Sequence, residues 1–473
     1  MLSLIFLASL VTTNTYVWPS PQLDALESAR FDQLGHNKLF GPDINPCNTD
    51  SFTGNTSGRS DAGDWIRTVR HSQRSQNRLD ALIHFADEQS RPEATHLYPP
   101  SMFTVADSIA IGALLAIENC GGPEIAFRGG RADAGEPKIP GVLQPQQYLQ
   151  SHIDSFARQV LTQTEMISLI ACGHTFGGVQ HAAFPDPEFN DTTNTLSVEH
   201  FDTTSVQFDN NIATEYISGS TRNPLVVGFN DSTNSDKRIF GSDGNATMAS
   251  FAKSPALFVS TYADLFLPML DTVPRGVQLT EVIAPLPVKP FNLQLLLDGD
   301  TLQFAGEVRL WNRTLNDMPT VSLLWDDRVG GNNNISLTPS GESTANSGRY
   351  TGVWYSFTIG EIVFLSLDAA TGITSMRFLV NGTLENQGGL GFAVQDGVLF
   401  STSSCHTSEN PFIGRFDVGV RNGLNLTRVY LEQTTQDNVG RPLVVETDIP
   451  HSKTKTALPI WCQSRLKHPQ TWV

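Results

Sequence analysis

The distribution of apolar residues along the chain changes character twice. Residues 104–118 read T-V-A-D-S-I-A-I-G-A-L-L-A-I-E, apolar on nearly every side. A helix of that kind belongs in the interior of a domain. Gly121, Gly122 and Pro123 end it with residues that tolerate left-handed backbone and then one that cannot continue a helix. Helical periodicity also marks residues 62–70, 80–88, 145–163 and 164–174. Beyond the prolines at 285, 287 and 290 the rhythm becomes one of short β-prone runs at 293–297, 302–311, 321–325, 350–359, 362–367 and 376–380. Gly, Asn and Asp clusters such as 330–334 separate them, the spacing of a β-sandwich. The pattern predicts a mainly α domain over 20–275, a linker over 276–290 and an all-β, sandwich-like domain over 291–473. No internal repeat is visible.

The first apolar run, Leu2 to Val11, is too short to span a bilayer, which takes about 20 residues. It reads as the hydrophobic core of a signal peptide over 1–15, with a buried N-terminal strand as the alternative. Sequons at Asn55, Asn190, Asn230, Asn245, Asn312, Asn334, Asn381 and Asn425 fit export, so a secreted, extracellular glycoprotein is expected. The net charge of -17 argues against nucleic acid and against an anionic membrane surface, both of which need clustered Lys and Arg. Five cysteines (Cys47, Cys120, Cys172, Cys405, Cys462) contain no C-x-x-C spacing. An exported chain permits disulfides. Cys47–Cys120 and Cys405–Cys462 would each close one domain and leave Cys172 as a buried thiol, although connectivity does not follow from sequence.

Candidate chemistry concentrates in the helical half. Residues 164–178, T-E-M-I-S-L-I-A-C-G-H-T-F-G-G, form a Thr-capped helix ending in His174, after which glycines turn the chain away. Such a histidine can present a ring nitrogen to a metal. Taken alone it is more often structural. An iron-bound histidine usually donates its other N–H to a carboxylate, and Asp243 in F-G-S-D is the candidate, with helix capping as its ordinary role. Asp202, Thr204, Gln207 and Asp209, with Thr175, gather oxygens suited to a hard cation such as calcium. Arg67 and His71 stand four residues apart and share a helix face. A proton-accepting histidine beside an arginine suits peroxide O–O cleavage; a solvated basic face is the plainer reading.

Together these segments resemble the plant/fungal/bacterial haem peroxidase superfamily, especially its secreted fungal class II branch. The resemblance runs from about Cys47 to Asp271. It rests on W-I-R-T-V-R-H, V-A-D-S-I-A-I-G-A, C-G-G-P-E-I-A-F-R-G-G-R-A-D, A-C-G-H-T-F-G-G, D-T-T-x-x-Q-F-D and G-S-D-G-N-A, in that order. It implies a haem-peroxidase fold, haem b with His174 as its iron ligand and Asp243 as the carboxylate partner. It implies one proximal calcium held by Thr175, Asp202, Thr204, Asp209 and the backbone oxygen of Gln207. Arg67 and His71 become the catalytic pair, and Cys47–Cys120 a disulfide. The implied reaction uses hydrogen peroxide to oxidise a small organic donor through a ferryl intermediate, in a monomer.

Departures from the family pattern are confined to the distal half. Arg70 and Ser72 flank His71 where an aromatic and an Asp are usual, 77–82 reads N-R-L-D-A-L in place of a glycine-rich calcium loop, and Ala94 stands where an Asn would orient the distal His. A distal calcium is therefore not expected. Leu169 and Ser168 replace the surface tryptophan of lignin-oxidising members, and Ser60 and Gln180 beside Asp64 do not make a manganese site. Two readings remain: an active peroxidase, or a catalytically impaired haem-binding, cell-wall or carbohydrate-binding protein on the same fold. A hydrolase is disfavoured by the absence of G-x-S-x-G and H-E-x-x-H motifs. In the β-half, Trp311, Trp325, Trp354 and Tyr355 are expected in the sandwich core, with a carbohydrate platform as the alternative.

Overall fold

The computed structural model describes residues 4–10, 20–38, 47, 60–72, 104–133, 143–181, 197–357, 364–406, 414–415, 417–436 and 442–449. The helical half contains β1 (Leu4–Leu10), α1 (Pro21–Phe31), β2 (Leu34–Gly35), α2 (Asp61–Ser72), α3 (Val105–Asn119), α4 (Leu149–Ala157), α5 (Gln163–Gly173), β3 (Gly178–Gln180), β4 (Val198–His200), α6 (Asn211–Ser218), α7 (Pro224–Val227), α8 (Ser235–Phe240), α9 (Ala246–Lys253) and α10 (Pro255–Leu270). The β-half follows with β5 (Val288–Asp298), β6 (Thr301–Trp311), β7 (Val321–Asp326), β8 (Asn332–Ser336), β9 (Thr338–Ala345), β10 (Tyr350–Ser356), β11 (Leu365–Asp368), β12 (Ser375–Val380), β13 (Thr383–Glu385), β14 (Phe392–Ala393), β15 (Val398–Ser401), β16 (Cys405–His406), β17 (Gly414–Arg415), β18 (Val418–Val420), β19 (Leu426–Gln436) and β20 (Pro442–Asp448).

The all-round apolar run is the buried helix α3. Thr104 caps it by accepting from the Asp107 amide at 3.0 Å, and Gly121 leaves it at φ +91°. Trp65 of α2 lies against α3 at Gly112, where a Cβ would overlap the indole ring. The G-G-R-A-D segment ties the start of α3 to the end of α10. Arg131 binds Asp107 at 3.0 Å and the Leu270 carbonyl at 2.9 Å. Cys47 is bonded to Cys120 at the end of α3, and Cys172 is a buried free thiol. Cys462 lies outside the described residues, as does the 80–88 stretch.

The β-half is a sandwich. An eight-stranded sheet runs β18-β15-β5-β6-β10-β9-β2 with β11 also on β6, and a five-stranded sheet runs β13-β12-β7-β8 with β14 on β12. Between them lie Leu302, Phe304, Val308, Leu310, Leu323, Val353, Tyr355 and Phe378. The opposite face of the large sheet is buried too. In β6, Val308 and Leu310 point into the sandwich while Arg309 and Trp311 are buried on the other side, against α1. The order in depth is therefore helical bundle, α1, large sheet, small sheet.

Buried charge fills the contact between α1 and the large sheet. Arg309 reaches Glu27 and Asp32, and Lys289 reaches Glu27 at 2.8 Å and Asp24 at 3.1 Å. Glu27, Asp32, Lys289 and Arg309 are all fully inaccessible. Lys289 falls inside the proline-bearing stretch read as a linker; β5 has already begun there, because its neighbours pair with β6. Trp311, Trp325, Trp354 and Tyr355 are all buried, so the carbohydrate platform is withdrawn for these four residues. The N-terminal apolar run appears as β1, paired antiparallel with β19.

Candidate haem site

α5 begins at Gln163, with Thr162 rather than Thr164 as its cap. The Thr162 hydroxyl accepts from the Glu165 amide, and the Glu165 carboxylate accepts from the Thr162 amide at 2.7 Å. This reciprocal cap satisfies two helix-end donors and fixes the start of a helix that delivers His174 at its C-terminus. The imidazole stacks on Phe201, with ring centres 4.1 Å apart and planes within 9°.

The carboxylate partner of His174 is Asp236, not Asp243. The His174 Nδ1 and Asp236 Oδ2 atoms lie 2.8 Å apart. The same oxygen accepts from Asn223 Nδ2 at 2.8 Å, and Asp236 is only 1% exposed. Asp236 occupies the first turn of α8, where backbone N–H groups favour negative charge. Asp243 instead serves the helix that follows it. Its carboxylate accepts from the Ala246 and Thr247 amides, each at 3.0 Å, and from the Thr247 hydroxyl at 2.5 Å. The capping role natural to an Asp before a helix therefore holds for Asp243. A sequence signal for Asp236 did exist: it precedes the buried Ile239 and Phe240 by three and four residues, an acid on the apolar stripe of a helix.

The predicted oxygen cluster assembles below His174. Thr175 Oγ1 lies 2.9 Å from the Asp209 carbonyl and 3.5 Å from Asp202 Oδ2, while Thr204 Oγ1 reaches Asp209 Oδ1 at 3.0 Å. The Gln207 amide closes a turn onto the Thr204 carbonyl at 2.8 Å, and the Gln207 side chain is exposed. Burial pushes the Asp202 carboxyl up to about 7, and the charges of Asp209 and Glu215 push it the same way. Among the described residues no cluster of three or more His, Cys, Asp or Glu is placed to hold a metal. The oxygen set is two carboxylates with hydroxyls and backbone.

Arg67 projects from α2 toward the strand that follows His174. It binds Asp64 at 3.0 Å and donates to the Gly178 carbonyl at 2.7 Å, and Gln180 donates to Asp64 at 3.1 Å. α2 and this strand approach through glycines: a Cβ on Gly63 would lie 3.0 Å from the Gly177 Cα. His71 lies one turn beyond Arg67 on the same helix. The side chains of Arg70, His71 and Ser72, and the whole of 77–82 and 91–94, lie outside the described residues. Ser60 accepts from the Gly63 amide, and Ser168 and Leu169 are buried.

The donor set at His174 suits haem iron. One ring nitrogen is committed to a buried carboxylate, which fixes the tautomer and raises ligand basicity. Its Nε2 takes part in no hydrogen bond among the described residues, and the side chain is 20% exposed.

Residues 67–254 match the family model described as peroxidase. Over 338 residues, 66% of this chain and 46% of the relative, the chain is 33% identical to a WSC domain-containing protein of Arthroderma benhamiae. Over 141 residues, 27% of this chain and 53% of the relative, it is 30% identical to the cytosolic L-ascorbate peroxidase 2 of Arabidopsis thaliana. The aligned segments thus span about half the length of each of these curated relatives. By these matches residues 67–254 are similar to the peroxidase family, ahead of the β-rich half.

Proposed function

We propose that the chain is a secreted, haem-dependent peroxidase that uses hydrogen peroxide to oxidise a small organic donor. The observation that carries this reading is the His174–Asp236 pair at a helix end, with the outer ring nitrogen left for iron. Haem b, when bound, supplies the redox chemistry of peroxide reduction. His174 holds the iron, and Asp236 holds His174, with Asn223 fixing Asp236 in turn. With haem bound, His71 would accept and return a proton as general acid–base, and Arg67 would stabilise developing negative charge. Thr175, Asp202, Thr204, Asp209 and the Gln207 carbonyl hold one calcium ion beside the His174 helix end.

A second reading is a haem protein on the same fold without peroxidase turnover. The observation that favours it is the engagement of Arg67 by Asp64 and the Gly178 carbonyl. Peroxide-driven dye oxidation by the haem-loaded full-length protein separates the two. The first reading expects turnover that His71→Leu lowers by roughly 100-fold or more, the usual scale of acid–base catalysis. No turnover above that of free haem, in parent and variant alike, would leave the second reading.

A further inference from the structure

We propose that Asn334 carries an N-linked glycan, and that this glycan shields the open edge of the five-stranded sheet. The proposal rests on the secreted reading. Six sequon asparagines fall in the described residues (Asn230, Asn245, Asn312, Asn334, Asn381 and Asn425), and all six are exposed. Where a side chain is engaged, the oxygen is the atom used. Asn230 Oδ1 accepts from the Ser232 amide and hydroxyl, Asn245 Oδ1 from the Tyr216 hydroxyl, and Asn381 Oδ1 from the Thr320 amide. The amide nitrogen, the atom a glycan requires, is left over in each case.

Asn334 differs from the others in its place. It is the middle residue of β8, which among the described residues ends its sheet and pairs with β7 alone. Its register neighbour is Leu324, so both lie on the outer face, while Ile335 and Leu323 face the sandwich core. A bare edge strand offers unpaired N–H and C=O groups to another chain, and proteins usually blunt it by shortness, charge, proline or a bulge. The end strands β2, β13 and β18 are two or three residues long. β8 has five residues reading N-N-N-I-S, with no charge and no proline, in unbroken register with β7. The shortness of β2, β13 and β18 is missing here, and an acceptor sequon occupies the centre of the strand.

The modification itself is a group transfer. The Asn334 amide nitrogen attacks the anomeric carbon of a lipid-diphosphate-linked oligosaccharide; the C–N bond forms, the C–O bond to the diphosphate breaks, and one amide proton leaves. A sugar chain rooted on the outer face over Leu324 then occupies the approach to the β8 edge.

The test uses the full chain secreted from a yeast host. Peptide N-glycosidase treatment in isotopically heavy water converts each glycosylated Asn to labelled Asp, and peptide mass spectrometry reads occupancy. Asn334 is expected to be occupied in most molecules. Occupancy at Asn230 or Asn312 with Asn334 bare overturns the proposal alone; no occupancy at any sequon removes the secreted reading as well. The shielding role is read by light scattering. Ser336→Ala, which keeps Asn334 but destroys its sequon, and enzymatic deglycosylation of the native parent should each raise concentration-dependent association several-fold. Ser232→Ala, which removes the Asn230 sequon, should not. Ser336→Ala and deglycosylated protein as monodisperse as the parent would overturn the shielding role.

Discussion

Replacing Arg309 by Met asks whether the β-half is part of the same folded unit as the helical half. Arg309 is fully buried and bonded to Glu27 and Asp32, both also inaccessible to solvent. It also lies over Trp311 at 4.4 Å and Trp354 at 5.9 Å. Methionine conserves much of the packing but leaves the two carboxylates with Lys289 as the remaining cation of the cluster. Removing one partner of a buried pair costs about 3–5 kcal/mol, because an uncompensated charge stays inside. The loss should depend on pH. Burial already raises the Asp32 carboxyl, with Arg309 opposing it; at Glu27 burial also acts upward, but Arg309 and Lys289 outweigh it and hold that carboxyl low. Without Arg309 both move up, so the native state binds more protons than the unfolded one above the ordinary carboxylate range. Stability then falls as pH rises, and the variant should be closer to the parent near pH 4.5 than near pH 7.5. Urea unfolding followed by tryptophan fluorescence at both pH values measures this. A loss under about 1 kcal/mol, or one independent of pH, would mean that this cluster does not join the two halves.

Asp236→Asn should weaken haem affinity by roughly 10–100-fold, the usual cost of losing a ligand-orienting partner. Asp243→Asn should cost about 1 kcal/mol of stability through its helix cap and leave haem affinity in place; equal effects on haem titration would cancel the assignment of Asp236. Metal analysis of the holoprotein should give one tightly held calcium per chain, removed by Asp209→Ala, and two would contradict the proposed set. Because the Asp202 carboxyl stands at about 7 without metal, calcium must displace a proton, so calcium affinity should rise as pH increases through that value; isothermal titration at pH 6 and pH 8 reads the slope. Gly112→Ala should destabilise by about 1–3 kcal/mol, as overpacking does, because its methyl would overlap Trp65; a thermal melt unchanged from the parent would contradict the packing.

Much of the arrangement was legible because local rules and tertiary packing agree. The apolar run after Thr104 could only be an interior helix, and His174 followed by glycines could only end one. The Asp243 assignment failed because Asp236 and Asp243 each stand at the start of a helix, and only the fold shows which of them reaches His174. Asp236 was hidden by its short helix, too brief for its buried stripe to stand out. The second buried face of the large sheet does not follow from the sequence, because Arg and Lys are ordinarily exposed and the Glu27 and Asp32 that pair with Arg309 and Lys289 stand over 250 positions away. The four aromatics of the β-half could not be sorted by composition; the alternation of β6, β7 and β10 places them inside, on two different faces of the large sheet and its partner.

The most direct measurement is a haem titration of the purified full-length protein and of His174→Ala, followed by absorption spectroscopy with and without added hydrogen peroxide. The parent is expected to bind haem with the spectrum of a five-coordinate histidyl iron that peroxide changes, while the variant fails to retain haem at the same concentrations. The same five-coordinate histidyl spectrum in His174→Ala would contradict this.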